Sequence, residues 1–422
     1  MRNWRLTLSL FLNYFVFAIL LNSVGTVIFL VQRNYGVSAS AAGVLEACKD
    51  LSIAVVSFFI ASLLTVVGYK RAMLGALAFV TAVLLLMPVV GGFVMMKLLF
   101  VAIGISFALI KVSTFAAIAL VTRGEKAHAS FMSFLESFFM MGILCGYFLF
   151  GAFADDANPQ STEWLQVYYL LAGVTAVAFV LLLGAEVDES VVCPPGQQTG
   201  WSENFSAMFR LAVTPLSLVF IASVFLYVLI EQAIMSWLPT FNSQVLNLPA
   251  QLSIQMAAIL PASTALGRFC AGFILKRVAW FPVLVTCLVV AVGLVLLALP
   301  LAQANAGRTV TGWSDAPLAA WIFPLIGFCL APIYPTINSA ELSALPPAQH
   351  GRMSGLIVIF SALGGSTGSL ITGRVFEDHG GQVAFYLSLV PIGLLLLTLF
   401  FFNRLRHRKV PGGTGTPRAK TP

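Results

Sequence analysis

Charge is what this sequence has little of. Only 9% of its 422 residues are Asp, Glu, Lys or Arg, against roughly a quarter in an ordinary soluble domain. With 59% hydrophobic residues and a mean hydropathy of +0.96, the chain has too little polar surface to cover a water-soluble fold. The equipment of several enzyme classes is also missing. The six cysteines (Cys48, Cys145, Cys193, Cys270, Cys287 and Cys329) are scattered, five of them inside apolar runs, with no CxxC or Cys/His spacing. They read as small packing residues, and no metal or other cofactor is expected. No HExxH occurs, which argues against a zinc hydrolase, and no GxxxxGK[ST] occurs, so this chain alone carries no ATP-driven pump. The four histidines (His128, His350, His379, His407) fall at the ends of apolar runs or in tails, where they cannot form a proton relay through a membrane core. The net charge of +7 comes from short basic flanks between apolar runs and forms no single basic face, so nucleic acid is not an expected partner.

What is present is a succession of apolar runs. A bilayer core of about 30 Å takes about 20 helical residues to cross, and such runs lie near 7–31, 40–67, 72–90, 95–121, 130–153, 166–185, 214–239, 250–275, 281–302, 316–340, 353–373 and 384–402. The first is too long for the apolar core of a signal peptide and lacks a small-residue cleavage site, so it reads as a retained span. If the N-terminus is cytoplasmic, the inner loops and tails collect Arg2, Arg5, Lys70, Arg71, Arg123, Lys126, Arg210, Lys276, Arg277, Arg352 and the basic C-terminal tail. The outer loops hold only Arg33, Lys97, Arg308 and Arg374. That asymmetry predicts an even number of spans with both ends inside, and the expected location is the plasma membrane, a bacterial inner membrane.

The expected organisation is an all-α integral membrane fold of twelve transmembrane helices in two pseudo-symmetric six-helix bundles, 1–185 and 214–403. A cytoplasmic linker (186–213) joins them, and a tail (404–422) follows. The linker opens with Glu186, Asp188 and Glu189 and contains Pro194-Pro195-Gly196, which ends any continuous helix. Trp201, Phe205, Met208 and Phe209 then recur at helical spacing, as in a short helix lying on the membrane surface. An internal repeat supports the division. At one constant separation of 222 residues (350 − 128), His128/His350, Phe138/Phe360, Gly142/Gly364, Gly146/Gly368, Gly151/Gly373 and Asp156/Asp378 coincide. The fifth and eleventh spans are therefore equivalent, and Lys70-Arg71 after the second span matches Lys276-Arg277 after the eighth. The glycines Gly142, Gly146, Gly364, Gly365 and Gly368 read as close-packing positions that let helices slide.

Several stretches resemble a known family. Gly68-Tyr69-Lys70-Arg71 is similar to the end of the major facilitator loop signature, with Leu64-Thr65 near the place of the usual Asp. Tyr227-Val228, Glu231 and Ser236-Trp237-Leu238-Pro239 in the seventh span resemble the fucose permease branch, a group of sugar–proton symporters. So do Ala331-Pro332-Ile333-Tyr334-Pro335-Thr336-Ile337 in the tenth and Gly355, Gly364-Gly365, Gly373 and Asp378 in the eleventh. The resemblance implies the major facilitator fold and alternating access. The N-terminal half departs from the branch: Asn22-Ser23-Val24-Gly25 stands where an Asn-rich segment would end in Asp. Lys111-Val112-Ser113-Thr114-Phe115 stands where an acid would precede Asn-Pro, and Glu46 and Glu136 replace Gln.

Ionisable groups within spans are expensive in hydrocarbon and usually face a cavity or a partner. Those present are Glu46, Lys49 and Asp50 in the second span, Lys111 in the fourth, Glu136 in the fifth, Glu231 in the seventh and Arg268 in the eighth. Four acids against three bases leave one carboxylate to be balanced by a proton, and Glu136, Asp50 and Glu46 are the candidates for proton coupling. Lys111, Glu231, Gln232, Asn22, Tyr334, Asn338 and Trp237 are the candidate substrate-binding residues. Lys111 is expected to pair with Glu136, Lys49 with Glu46, and Arg268 with an inner acid such as Glu341. The function expected is secondary active transport of a small sugar-like, anionic or zwitterionic solute, driven by protons or Na+, by a monomer among membrane lipids. Export of an amphipathic or metal-chelating metabolite or drug is the alternative. An intramembrane enzyme and a transport-dead sensor find no supporting motif or signalling domain.

Overall fold

A computed structural model describes residues 4–121, 125–155, 157–158, 160–185, 209–275, 277–304, 310–342 and 347–408, with some helix side chains left undescribed. Among the described residues there is no strand. Helices are the required solution, because a chain crossing lipid must satisfy its backbone donors and acceptors within each segment. Ten helical stretches are long and apolar enough to span a membrane. Two further helices, Ala39–Val67 of 29 residues and Glu125–Ala152 of 28, have the length to do so and complete twelve crossings. The protein is therefore a multi-pass, all-α membrane protein, and its helices fall on the twelve runs read from the sequence. Residues 186–208, where most of the expected surface helix lies, and the tail from 409 onward are outside the described residues.

Among the described residues four crossings are divided into shorter helices, and in the eighth and tenth prolines lie at or near the divisions. The first is split into Trp4–Asn22 and Val24–Tyr35, and at the break the Ser23 hydroxyl donates to the Leu20 carbonyl at 2.9 Å. The eighth is split into Ala250–Ala257 and Ile259–Ile274 at Ala258, three residues before Pro261. The tenth is pieced together from Leu318–Ile322, a 3-10 turn Phe323–Leu325, Ile326–Leu330 and Ile333–Leu342, as Pro324, Pro332 and Pro335 each remove a donor. The twelfth bends between Gly381–Tyr386 and Leu389–Arg408.

The repeat has an atomic counterpart. In the N-terminal half, a Cβ on Gly142 would lie 2.4 Å from the Phe15 carbonyl, and one on Gly146 would meet Ile19. In the C-terminal half, a Cβ on Gly364 would lie 2.4 Å from the Phe225 carbonyl, and one on Gly368 would lie 2.3 Å from the Leu229 carbonyl. The fifth span thus packs on the first as the eleventh packs on the seventh, in the same register. These are close-packing positions, as read from the sequence: backbone lies against backbone at Gly142, Gly364 and Gly368, and the Ile19 side chain fills the space at Gly146.

The face carrying both ends of the described chain is called here the terminal face, and the opposite one the distal face. On the terminal face the N-terminal half is tied by basic side chains. Arg5 donates to the Gly184 carbonyl at 3.3 Å, and the Lys70 ammonium to the Leu183 and Ala185 carbonyls at 3.1 and 2.6 Å. These are the carbonyls that the end of the sixth span leaves without helical donors. At the distal face the two halves meet. The second span lies along the eleventh, where the Ser40 amide donates to the Glu377 carboxylate at 2.9 Å. Phe148 of the fifth span stacks on Trp313, which donates to Gln255 of the eighth at 3.3 Å.

Candidate functional site

Two groups of ionisable side chains lie where the halves face each other. The first is buried in the distal half of the second span. Glu46 and Asp50, one helical turn apart, flank Lys49, whose ammonium lies 2.5 Å from Glu46 Oε1 and 3.4 Å from Asp50 Oδ1. The residues are 0%, 4% and 7% exposed in the order Glu46, Lys49, Asp50. Lys49 also donates to the Leu21 carbonyl at 3.4 Å, at the end of the first helix of span one. The C-terminal half closes the cluster from the other side. Ser236 of the seventh span donates to Glu46 Oε2 at 2.6 Å, and Asp50 Oδ2 occupies space that a side chain at Gly365 of the eleventh would need, 2.5 Å from its ideal Cβ. The expected Lys49–Glu46 pair is therefore present, with Asp50 as a second carboxylate on the same ammonium.

The second group lines a cavity of about 170 Å³ between the halves, bounded by Asn22, Phe139 and Ile143 on one side and Glu231, Gln232 and Arg268 on the other. Glu231 accepts from the Tyr227 hydroxyl at 2.8 Å and lies 4.0 Å from the Arg268 guanidinium. Both charged side chains are part-exposed, Arg268 at 39% and Glu231 at 28%. Tyr334 stacks at a tilt on Tyr227, 5.5 Å between centroids, and shares a hydrogen bond of 3.3 Å with Ser361. One turn on, the Asn338 side-chain oxygen is buried without a hydrogen-bond partner among the described residues. Glu231, Gln232 and Asn22 are thus brought together, and Tyr334 stands one aromatic ring away.

The remaining candidates are dispersed. Lys111 is exposed on the fourth span, its ammonium 5.6 Å from the Phe107 ring, and that ring in turn meets Phe17 and Phe139. Glu136 belongs to the helix Glu125–Ala152, and its side chain lies outside the described residues, as does any Lys111–Glu136 pair. Trp237 is fully buried away from the cavity. Its indole donates to the Ser369 carbonyl at 3.0 Å, and its ring stacks on Phe376 and fills the space beside Gly373, as a wedge under the distal seam.

Arg268 was expected beside Glu341, and the structure sets it against Glu231. Glu341 is buried with Ser217 donating to it at 3.1 Å. The long arginine side chain carries its charge well away from its backbone level, so depth counted at the Cα did not reveal the approach to Glu231. Ser236, which donates to Glu46 across the seam, went unassigned because a lone serine in an apolar helix gives no signal of its partner. Among the described residues no group of three or more His, Cys, Asp or Glu has the geometry to hold a metal.

Comparison with known proteins places this geometry. The sequence profile of the Major Facilitator Superfamily matches residues 6–369. Among curated protein sequences none matches the chain. Solved structures do. The nucleoside transporter NupG superposes with a TM-score of 0.76 at 13% identity, covering 95% of this chain and 100% of that one. A bacterial homolog of the human lysosomal transporter Spinster, inward-facing and unoccupied, gives 0.76 at 15%, covering 97% and 98%. A D-xylose–proton symporter gives 0.67 at 15%, covering 94% and 97%. At such identities the likeness is one of fold.

Proposed function

This chain belongs to the major facilitator superfamily, and from that premise we propose that it is a proton-coupled transporter of a small polar solute, sugar-like or zwitterionic, held between Glu231, Arg268, Gln232 and Asn22. That it is a membrane transporter follows from the family. The carrying observation for the cargo is the part-exposed Glu231–Arg268 pair in the cavity between the halves. Such a pair offers a carboxylate acceptor and a guanidinium fork at once, which suits ammonium with carboxylate, or a row of hydroxyls, better than an apolar drug. Lys111 adds a second cation on the terminal side for an anionic group. The motifs shared with the fucose permease branch, and the proton symporter among the structural neighbours, support a polyhydroxyl cargo.

Coupling is assigned to the buried cluster. Two carboxylates share one ammonium there, leaving one negative charge uncompensated in a place closed to water, and a proton is the smallest species that balances it. Parting the halves on the distal face withdraws Ser236 from Glu46 and Gly365 from Asp50, so Asp50 meets solution only in that state. Cargo release toward the terminal face, taken as cytoplasmic from its basic flanks, then alternates with proton loading at the distal face. Glu136 is retained as the competing acid.

The test is a reconstitution. Purified protein in liposomes, offered hexoses, nucleosides and zwitterionic amino acids in turn, should show proton uptake with at least one class. Asp50→Asn should abolish accumulation driven by a pH gradient while sparing exchange of labelled for unlabelled cargo. If Glu136→Gln gives that phenotype and Asp50→Asn does not, coupling belongs to the fifth span. Exchange with no proton movement in the unaltered protein sinks the coupling altogether.

A further inference from the structure

A second cavity, of about 540 Å³, opens among the terminal-face ends of the eighth, ninth and tenth spans and the tail of the twelfth. Among the described residues its lining includes two guanidinium groups, Arg268 and Arg406, together with Trp280, Thr336 and Ser339, and no carboxylate side chain; the Arg268 guanidinium also lies 4.0 Å from Glu231 of the neighbouring cavity. Arg406 is half-buried and lies 5.9 Å from the Trp280 ring centroid; Trp280 packs against Phe402 one turn earlier on the same helix. A cation laid on an indole near the membrane–water boundary is held in place yet keeps its donors facing outward.

The N-terminal half shows what the same kind of place looks like when its cations are used internally. There Arg5 and Lys70 bind the terminal carbonyls of the sixth span. In the C-terminal half the twelfth span runs on as helix to Arg408, and Arg406 borders open space. Two positive charges around a roomy cavity with hydroxyls beside them form a receptor for an anion with several acceptor oxygens.

We propose that this cavity is an anion site for a phosphate-bearing group, with Arg406 and Arg268 as the two cationic walls and Trp280 as the floor. The chemistry fits the phosphate of an anionic lipid headgroup at the interface and also free inorganic phosphate. Because Arg268 borders both cavities, an anion here and a solute beside Glu231 draw on the same guanidinium, so occupancy of one site alters the other.

Full-length protein in neutral detergent is titrated calorimetrically with dihexanoyl phosphatidylglycerol, dihexanoyl phosphatidylcholine and inorganic phosphate, with no cargo present, so that failure of the transport reading leaves the result standing. Phosphatidylglycerol should bind more tightly than phosphatidylcholine if a lipid is the source, and phosphate should bind as well if a free anion is. Arg406→Gln should weaken either by about tenfold to a hundredfold, the value of a charge-assisted hydrogen bond. A second variant protects the test against misfolding: a Cβ on Gly272, which lines the cavity, would meet nothing within 4 Å. Gly272→Leu should therefore start without a backbone clash, crowd the cavity on that side and weaken binding as well. Equal binding of the two lipids without phosphate binding means an acyl-chain groove and overturns the proposal. So does binding that survives both variants, or no binding by any of the three probes.

Discussion

The two charge groups between the halves differ in their access to water. Glu46, Lys49 and Asp50 are almost wholly enclosed, whereas Glu231 and Arg268 keep roughly a third of their side chains open. A buried ion pair is weak evidence of net stability against an apolar replacement, but removing one member leaves a bare charge and is severe. A part-exposed pair 4.0 Å apart contributes little to stability and is free to exchange its partner for a ligand. One group is therefore suited to holding a conformation, and the other is the one the proposed reading gives to cargo.

The strongest way to break that contrast is Lys49→Ala, which leaves two carboxylates enclosed without their ammonium. Loss of about 3–5 kcal/mol of stability is expected, read as a large drop in the unfolding temperature in detergent; a near-normal melting curve at neutral pH would show that the cluster is wetter than its burial indicates. Next comes Gly365→Ala. Its new methyl would lie 2.5 Å from Asp50 Oδ2 and 3.2 Å from Gln232 Cγ, so the seam must give at a cost of about 1–3 kcal/mol. A cysteine placed at Ser40 should then react faster with a membrane-impermeant maleimide added from the distal side, and an unchanged rate means the crowding is absorbed inside the C-terminal half. Glu231→Gln should weaken cargo binding by about tenfold to a hundredfold while shifting the melting temperature little. A large stability loss there would make that pair structural too. The smallest effect belongs to Arg374→Ala at the distal surface. Its pair with Asp378 is 2.8 Å long, but the side chains are 64% and 39% exposed, so about 0.5 kcal/mol or less is expected, with transport unchanged.

The sequence carried the crossings well because a bilayer imposes a length and an apolarity that few other environments do, and the twelve runs reappear as helices. The glycine repeat was legible as spacing, but which partner each glycine met was not: Gly364 and Gly365 are neighbours, yet one touches Phe225 in its own half and the other Asp50 across the seam. That difference is set by helix rotation, about 100° per residue, which no spacing argument fixes without a partner helix. Charges at membrane depth were equally legible as a set, and their pairing was less so. Lys49 with Glu46 follows from a three-residue offset on one helix, whereas Arg268 with Glu231 joins two helices through a flexible side chain. The hydrophobic character of Trp237 gave no means of separating a cavity wall from a wedge.

The matched glycine–carbonyl contacts of the two halves also set the leverage of the molecule. The seventh and eleventh helices approach backbone to backbone at two successive turns, and the first and fifth at one turn with the Ile19 side chain filling the next, so little side-chain layer is left to shear and each pair is held as one piece. A rigid arm of 20 residues is about 30 Å long. Tilting it by about ten degrees about a pivot in the distal seam carries its far end through about 5 Å, and small subunit rotations of that order are how bistable interfaces switch. The close approach of Asp50 to Gly365 and the hydrogen bond from Ser236 to Glu46 belong to that seam. Small displacements there become passage-sized displacements at the terminal face.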